Sequence, residues 1–175
     1  PAAALRRELP PAYVSRISSA ESTTAIVGQV VSGSGDLTST LTAASARASS
    51  TTFRGQTTLG NAVLDSAARL ADAQLDAIRI VSKGTVTLPG DTGSIPVSIA
   101  NGLESPVTVG LQISAVPSVR LSTSPIAPVT IPPGSTVLVE VPARVTGSEP
   151  VQVSLRLAST DGGAFGAPAS LQVGS

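Results

Sequence analysis

Four places in the sequence hold residues whose types and spacing could do chemistry. Ser82 and Lys83 are adjacent, and a serine–lysine pair can act as nucleophile and base. Lys83 is the sole lysine of the chain and opens a strand region, where a lysine ordinarily serves as a solvated linker residue. Asp72 and Asp76 stand one helical turn apart, the arrangement of a paired-carboxylate acid–base site. Arg69 and Arg79 lie three residues from them, which favours a solvated, salt-bridged surface. Asp161-Gly162-Gly163 has the start of a calcium loop without its further acidic residues, so a hairpin turn accounts for it better. The fourth place, Phe53-Arg54-Gly55, sits between two helical stretches. Phe53 either anchors the connecting loop on a core or, with Arg54, forms a contact point for a partner.

The residue inventory excludes more than it offers. There is no histidine and no cysteine. Histidine-based triads, the usual zinc sites, thiolate chemistry and disulfides are therefore all absent. No Gly-Lys-Ser/Thr sequence exists to cradle a phosphate. Sugar platforms need aromatics, and only Tyr13, Phe53 and Phe165 are available; Phe165 reads as a plug of the core. We expect no catalytic, cofactor-binding or metal-binding residues and no enzymatic activity. Phe53 and Arg54 remain as the candidate contact for a protein partner.

Lys plus Arg equals Asp plus Glu at 11 each, so charge gives no reason to expect nucleic acid as a partner. Charged residues are 13% of the chain, against roughly 25% in an ordinary globular domain. Ser, Thr, Gly and Pro must cover the surface, as is common in extracytoplasmic modules. No apolar run reaches the roughly 18 residues of a bilayer span, so no membrane insertion by these residues is expected. The chain opens on Pro1 and shows no signal peptide, and we expect it to be part of something longer.

The elements that must position these residues fall into two halves. Leu64, Ala67, Ala68, Ala71, Leu75 and Ile78 recur at helical spacing and predict a helix over about Leu59–Arg79, with an Asp65–Arg69 pair on another face. Weaker helices are predicted over Ser19–Val31 and from Asp36, the expected N-cap, to Ala48. At Val81 the period changes to 2. Ile95, Val97 and Ile99 alternate with polar or small residues, as do Val107 to Ile113, Val137 to Val141 and Val151 to Leu157. Turn clusters separate them, among them Asn101-Gly102 and Pro132-Pro133-Gly134. Seven or eight short strands, counting weaker ones, suit a sandwich.

Three stretches together carry a resemblance: 75–81, 95–109 and 131–142, the last including Ile131-Pro132-Pro133-Gly134-Ser135. They resemble the C-terminal periplasmic region of a family of large actinobacterial cell-envelope proteins of unknown function, mycobacterial ones included. In that family a Ser-rich, aromatic-Arg-Gly stretch leads from a helical segment into an immunoglobulin-like module and then a membrane anchor. Ser49–Gly55 matches the stretch, with Phe53 where Trp is commoner. The resemblance covers about Ser49 to Ser175 and implies an envelope role, since such proteins are often encoded beside the lipid II flippase. It implies no catalytic residues.

The resulting expectation is an α+β fold by segregation. Residues 1–80 form an Ala-rich helical region that belongs to a larger domain, and residues 81–175 form an immunoglobulin-like β-sandwich. The expected function is that of a non-catalytic extracytoplasmic structural or interaction module, membrane-anchored in the full-length protein and tied to cell-wall or envelope-lipid assembly. A protein partner in the envelope is expected, and no small-molecule ligand. The alternative is an accessory or spacer module of a secreted hydrolase.

Overall fold

The computed structural model describes residues 9–50, 56–82, 84–147 and 149–174. They divide into two compact units, Pro1–Gly28 with Gly33–Gln74, and Gln29–Ser32 with Leu75–Ser175.

Three helices occur among the described residues: α1 (Pro11–Val30), α2 (Gly35–Ser49) and α3 (Thr57–Asp76). Helix α1 starts well before Ser19. Pro11 takes the first helical position, where a missing N–H costs nothing, and the Pro10 carbonyl accepts from Tyr13 N (2.9 Å) and Val14 N (3.1 Å). Its Ser and Thr side chains do not break it, because they turn their hydroxyls back onto the preceding turn. Ser19 donates to the Ser15 carbonyl (3.0 Å), Thr23 to Ser19 (3.0 Å) and Thr24 to Ala20 (2.8 Å). Helix α2 begins one residue before Asp36, so Asp36 lies in its first turn, where a carboxylate suits the helix dipole, and does not cap it. Asp65 pairs with Arg16 of α1, not with Arg69. Both partners are about half exposed, so the pair contributes at most about 0.5 kcal/mol.

One buried cluster of the helical unit draws side chains from all three helices. Tyr13, Ile17, Ala48 and Leu64 are buried together, with Leu9 and Ala20 packed against them. The Tyr13 hydroxyl donates to the Ala48 carbonyl at 2.8 Å. Gly60 makes room for that ring: a Cβ there would stand 1.9 Å from the Tyr13 hydroxyl oxygen. Gly60→Ala is therefore expected to destabilise the helical unit by about 2 kcal/mol through overpacking. Helix propensity alone would give a gain of about 1 kcal/mol. The sign of the shift in a urea melt decides between the two, and a Tyr13→Phe background should soften the loss.

In the second unit, helix α3 gives way to strand within one residue. The strands are β1 (Ile78–Ile80), β2 (Gly84–Thr87), β3 (Thr92–Asn101), β4 (Val107–Val116), β5 (Leu121–Thr123), β6 (Val129–Ile131), β7 (Thr136–Val145), β8 (Val151–Ala158) and β9 (Ala164–Gly174). They form one sheet in the order β1-β3-β7-β5 and another in the order β2-β9-β8-β4-β6. Alternate residues of both sheets are buried: Ile95, Val97 and Ile99 on β3, Val139 and Val141 on β7, and Val151, Val153, Leu155 and Leu157 on β8. Phe165 is buried with them. All pairs are antiparallel except β2 with β9, which run parallel from Gly84↔Leu171 to Thr87↔Gly174.

The segment from Leu121 to Ile131 changes sheets. It starts as β5 beside β7 and ends as β6 beside β4, crossing through Pro125 and Pro128. Asn101 closes the end of β3. It is 2% exposed, and its Nδ2 donates to the carbonyls of Ser105 (2.9 Å), Ile131 (3.2 Å) and Pro132 (3.0 Å). Its Oδ1 accepts from Leu103 N at 3.0 Å.

The expected fold class needs correction. The fold is α+β, with three helices ahead of nine strands in two curled sheets among the described residues, but it is not a helical region followed by a self-contained all-β sandwich from Val81. Strand β1 precedes Val81, and Gln29–Ser32, the end of α1 and the residues that follow it, belongs to the β unit. Val31 bridges Val107 in antiparallel sense, and Ser32 N donates to the Pro106 carbonyl at 2.9 Å. The physical reason is an open main-chain position: the β4–β8 ladder ends at Gly110↔Ala158, and the apolar, buried Val31 takes up the edge beyond it. Gln29 adds a side-chain hydrogen bond from its Nε2 to the Asp161 carboxylate.

Candidate functional site

Among the described residues, those singled out for chemistry are not assembled into a site. Phe53 and Arg54 lie outside the described residues, as does Lys83. Ser82 acts as a link between main chains: its Oγ accepts from Ser98 N at 2.6 Å and reaches the Pro96 carbonyl at 3.5 Å. Asp72 and Asp76 are both exposed, and the two ion pairs among the described residues, Arg16–Asp65 and Arg120–Glu149, involve neither. Asp161 sits at the turn between β8 and β9 and is held by Gln29. That turn is closed by Ser159, which donates its N–H to the Gly163 carbonyl (2.8 Å) and accepts at Oγ from Gly163 N (3.0 Å). No group of three or more metal-ligating side chains occurs among the described residues.

What the structure does assemble is an apolar groove on the helical unit. Helix α2 contributes Leu41 and Ala44, and α3 contributes Leu59, Ala62, Val63, Ala67 and Leu70. Thr40 and Ser66 are its polar members. The groove encloses about 550 Å³ and is open to solvent. Its floor is firm, because Leu41 is 1% exposed and Ala67 6%. Its rim is not covered: Leu59 and Leu70 are 55% and 51% exposed. Large aliphatic side chains left half in water beside a concave apolar surface mark a place where a further apolar group would be stabilised.

This groove escaped the sequence reading for a definable reason. The stripe through Leu64, Ala67, Ala71 and Leu75 was enough to explain α3 as one-faced. Yet Leu59, Val63, Ser66 and Leu70 recur at spacings of four, three and four, a second stripe on the same helix. A 20-residue helix with two apolar stripes has two neighbours to satisfy.

The class defined by these features is a two-sheet β module with a helical unit and an exposed apolar groove. The chain belongs to the family described as "Family of unknown function (DUF6049)", whose model matches residues 4–175. No curated protein sequence matches it significantly. Among solved structures, WR4, a C. elegans MSP family member, is similar at 10% identity and TM-score 0.40 over 57% of this chain and 98% of that one. The secreted serine protease VesC from Vibrio cholerae matches at 17% identity and TM-score 0.42, over 61% of this chain and 24% of the protease. The ASH/PapD-like domain of human CEP192 matches at 12% identity and TM-score 0.37, over 58% and 87%. Likenesses at these levels assign no function. No helix among the described residues is long and apolar enough to cross a membrane.

Proposed function

We propose that this chain is a non-catalytic, extracytoplasmic interaction module of a cell-envelope protein that is membrane-anchored in its full-length form. Its role would lie in cell-wall or envelope-lipid assembly. The observation that carries the interaction reading is the α2–α3 groove with its half-exposed Leu59 and Leu70. The partner this surface suits is an apolar protein segment, since the lining offers almost no polar group to orient a small molecule. Phe53 and Arg54, which stand in the sequence between α2 and α3, belong to the same proposal as candidate contacts for the partner. The low charge content and the Ser, Thr, Gly and Pro coat support an extracytoplasmic setting.

The test is a matched capture experiment from envelope fractions. The intact chain is compared with a Leu59→Glu/Leu70→Glu variant. Both positions are half exposed, so the melting temperature should stay within a few degrees. Covering the remaining surface of two leucines gives about 2 kcal/mol, so partner retention should fall roughly 30-fold. Equal capture by both proteins would reject the groove. Hydrolysis of a wall polymer by this chain alone would reject the non-catalytic reading.

A further inference from the structure

The change of sheet between β5 and β6 leaves part of β7 without a neighbour. Strand β7 pairs with β3 along its length, from Thr136↔Ala100 to Arg144↔Thr92, with no register shift. On its other side β5 covers only residues 143–145. The direction of the main-chain groups follows from the bonds that do form. Val145 N donates toward the β3 side, to the Asp91 carbonyl at 2.8 Å. Thr146 N donates to Arg120 O (2.9 Å), and Pro142 O accepts from Ser124 N (3.2 Å), both on the β5 side. Even-numbered residues of β7 therefore turn their N–H and C=O groups to that side. For Thr136, Leu138 and Glu140 those groups meet no partner among the described residues. Pro142 ends the open stretch, because it has no N–H and its carbonyl is taken. The side chain of Leu138 is 58% exposed in the middle of this edge.

We propose that this edge receives β7 of a second copy of the chain, in antiparallel, two-fold pairing centred on Leu138. The choice of occupant rests on complementarity along the edge. Centred on Leu138, the pairing sets Leu138 against its own copy, covering the exposed side chain. It sets Thr136 against the second copy's Glu140, a hydroxyl beside a carboxylate, on both sides of the axis. Three opposed pairs then form about six main-chain hydrogen bonds, two for each pair. Centred on Glu140, two like charges would meet and Leu138 would face Pro142, which has no donor. Centred on Val139, Thr136 would face Pro142, and only about four bonds would form. Of these three registers only the one centred on Leu138 uses every open group, and charge further disfavours the one centred on Glu140. This inference is independent of the helical groove, so either can fail without the other.

The absence of native cysteine makes the register directly testable. In the proposed pairing the two Leu138 Cα atoms lie about 5.5 Å apart, inside the disulfide range of roughly 4.4–6.8 Å. The two Glu140 positions are separated by about 13 Å along the strands. Under mild oxidation of the full chain, Leu138→Cys should form a covalent dimer at least tenfold faster than Glu140→Cys. Sedimentation of the unaltered chain should show reversible dimer with a dissociation constant on the order of 100 μM, as suits a short ladder. Leu138→Pro, which deletes only an outward N–H, should be monomeric with unchanged β circular dichroism; should it misfold, Leu138→Lys gives the same reading. Equal crosslinking at both positions overturns the proposal, as does a chain that stays monomeric up to about 0.5 mM. A monomer whose Leu138 and Glu140 amides become protected from exchange by an added extended peptide assigns the edge to another protein and likewise overturns self-pairing.

Discussion

Asn101→Asp is expected to destabilise the β unit by about 4 kcal/mol at neutral pH, with most of the loss recovered on acidification. The substitution keeps the shape of the side chain and replaces its NH₂ by an oxygen. That oxygen would face three carbonyls that now accept from Nδ2, those of Ser105, Ile131 and Pro132. Three acceptors would lose their donor, and a buried negative charge would meet the negative ends of their dipoles. Burial and the carbonyls together raise the carboxyl's folded pKa above its unfolded value of about 3.9. The folded state then binds the proton more tightly, so the variant gains stability as pH falls through the raised folded pKa, down to the unfolded value. Below the raised folded pKa the protonated oxygen can donate to one carbonyl again. Asn101→Ala should cost about 3 kcal/mol with no such dependence. Urea melts of both variants at pH 7 and pH 4 check this, and an Asp penalty that is equal at the two pH values would count against the account.

Beginning the β unit at Ser82 in place of Leu75 is expected to cost about 5 kcal/mol or more, comparable to the whole stability of a small domain. Strand β1 would be lost, with Ile78 at 1% exposure and Ile80 at 9%. Each buried isoleucine is worth about 2 kcal/mol. The rungs to β3, Ile78↔Asn101 through Ile80↔Ile99, go with them, as does the bond from Gly102 N to the Ala77 carbonyl at 2.9 Å. Strand β3 would become a long apolar edge open to aggregation. Thermal melts of fragments 75–175 and 82–175 compare the two directly, since both lack Gln29–Ser32. A cooperative β melt at the same temperature for both would show that β1 is dispensable.

Legibility in the sequence followed the range over which each feature is specified. Period-2 runs placed β3, β4, β7 and β8, because a half-buried strand writes its burial directly into alternation: Ile95, Val97 and Ile99 are all buried. Strand β1 did not show, because Ile78 follows Leu75 at helical spacing and reads as the end of the helical stripe. Helix α1 reached back to Pro11 because a proline that looks like a breaker is tolerated in the first turn. Strand β9 carries no clear period-2 run over its whole length, since Gly166 (φ +69°) and Pro168 interrupt the alternation without ending the pairing. Asn101 reads as half of an Asn-Gly turn signal, yet it closes a strand with a buried side chain whose partners lie up to 31 residues away. The partner of each strand is not local information at all, and neither the β2–β9 parallel pair nor the β5-to-β6 crossing leaves a pattern within one segment. Of the candidate contacts, Phe53 and Arg54 fall outside the described residues, while the Leu59–Leu70 stripe was present in the sequence and was hidden by a stronger stripe on the same helix.

The parallel run of β2 beside β9 bears on how this chain would respond to mechanical load. The start of β2 lies beside Leu171, and the end of β9 lies beside Thr87. A pull that draws Gly84 away from Gly174 therefore acts along the strands in opposite directions. The rungs of that ladder, and the bond from Leu88 N to the Gly174 carbonyl at 2.8 Å, are strained together in shear instead of opening one after another. A peeling geometry breaks bonds singly at low force, whereas a sheared ladder yields only when its rungs fail as a group. Tension applied across this β unit would thus meet a clamp at its two ends while the buried faces of the sheets stay closed.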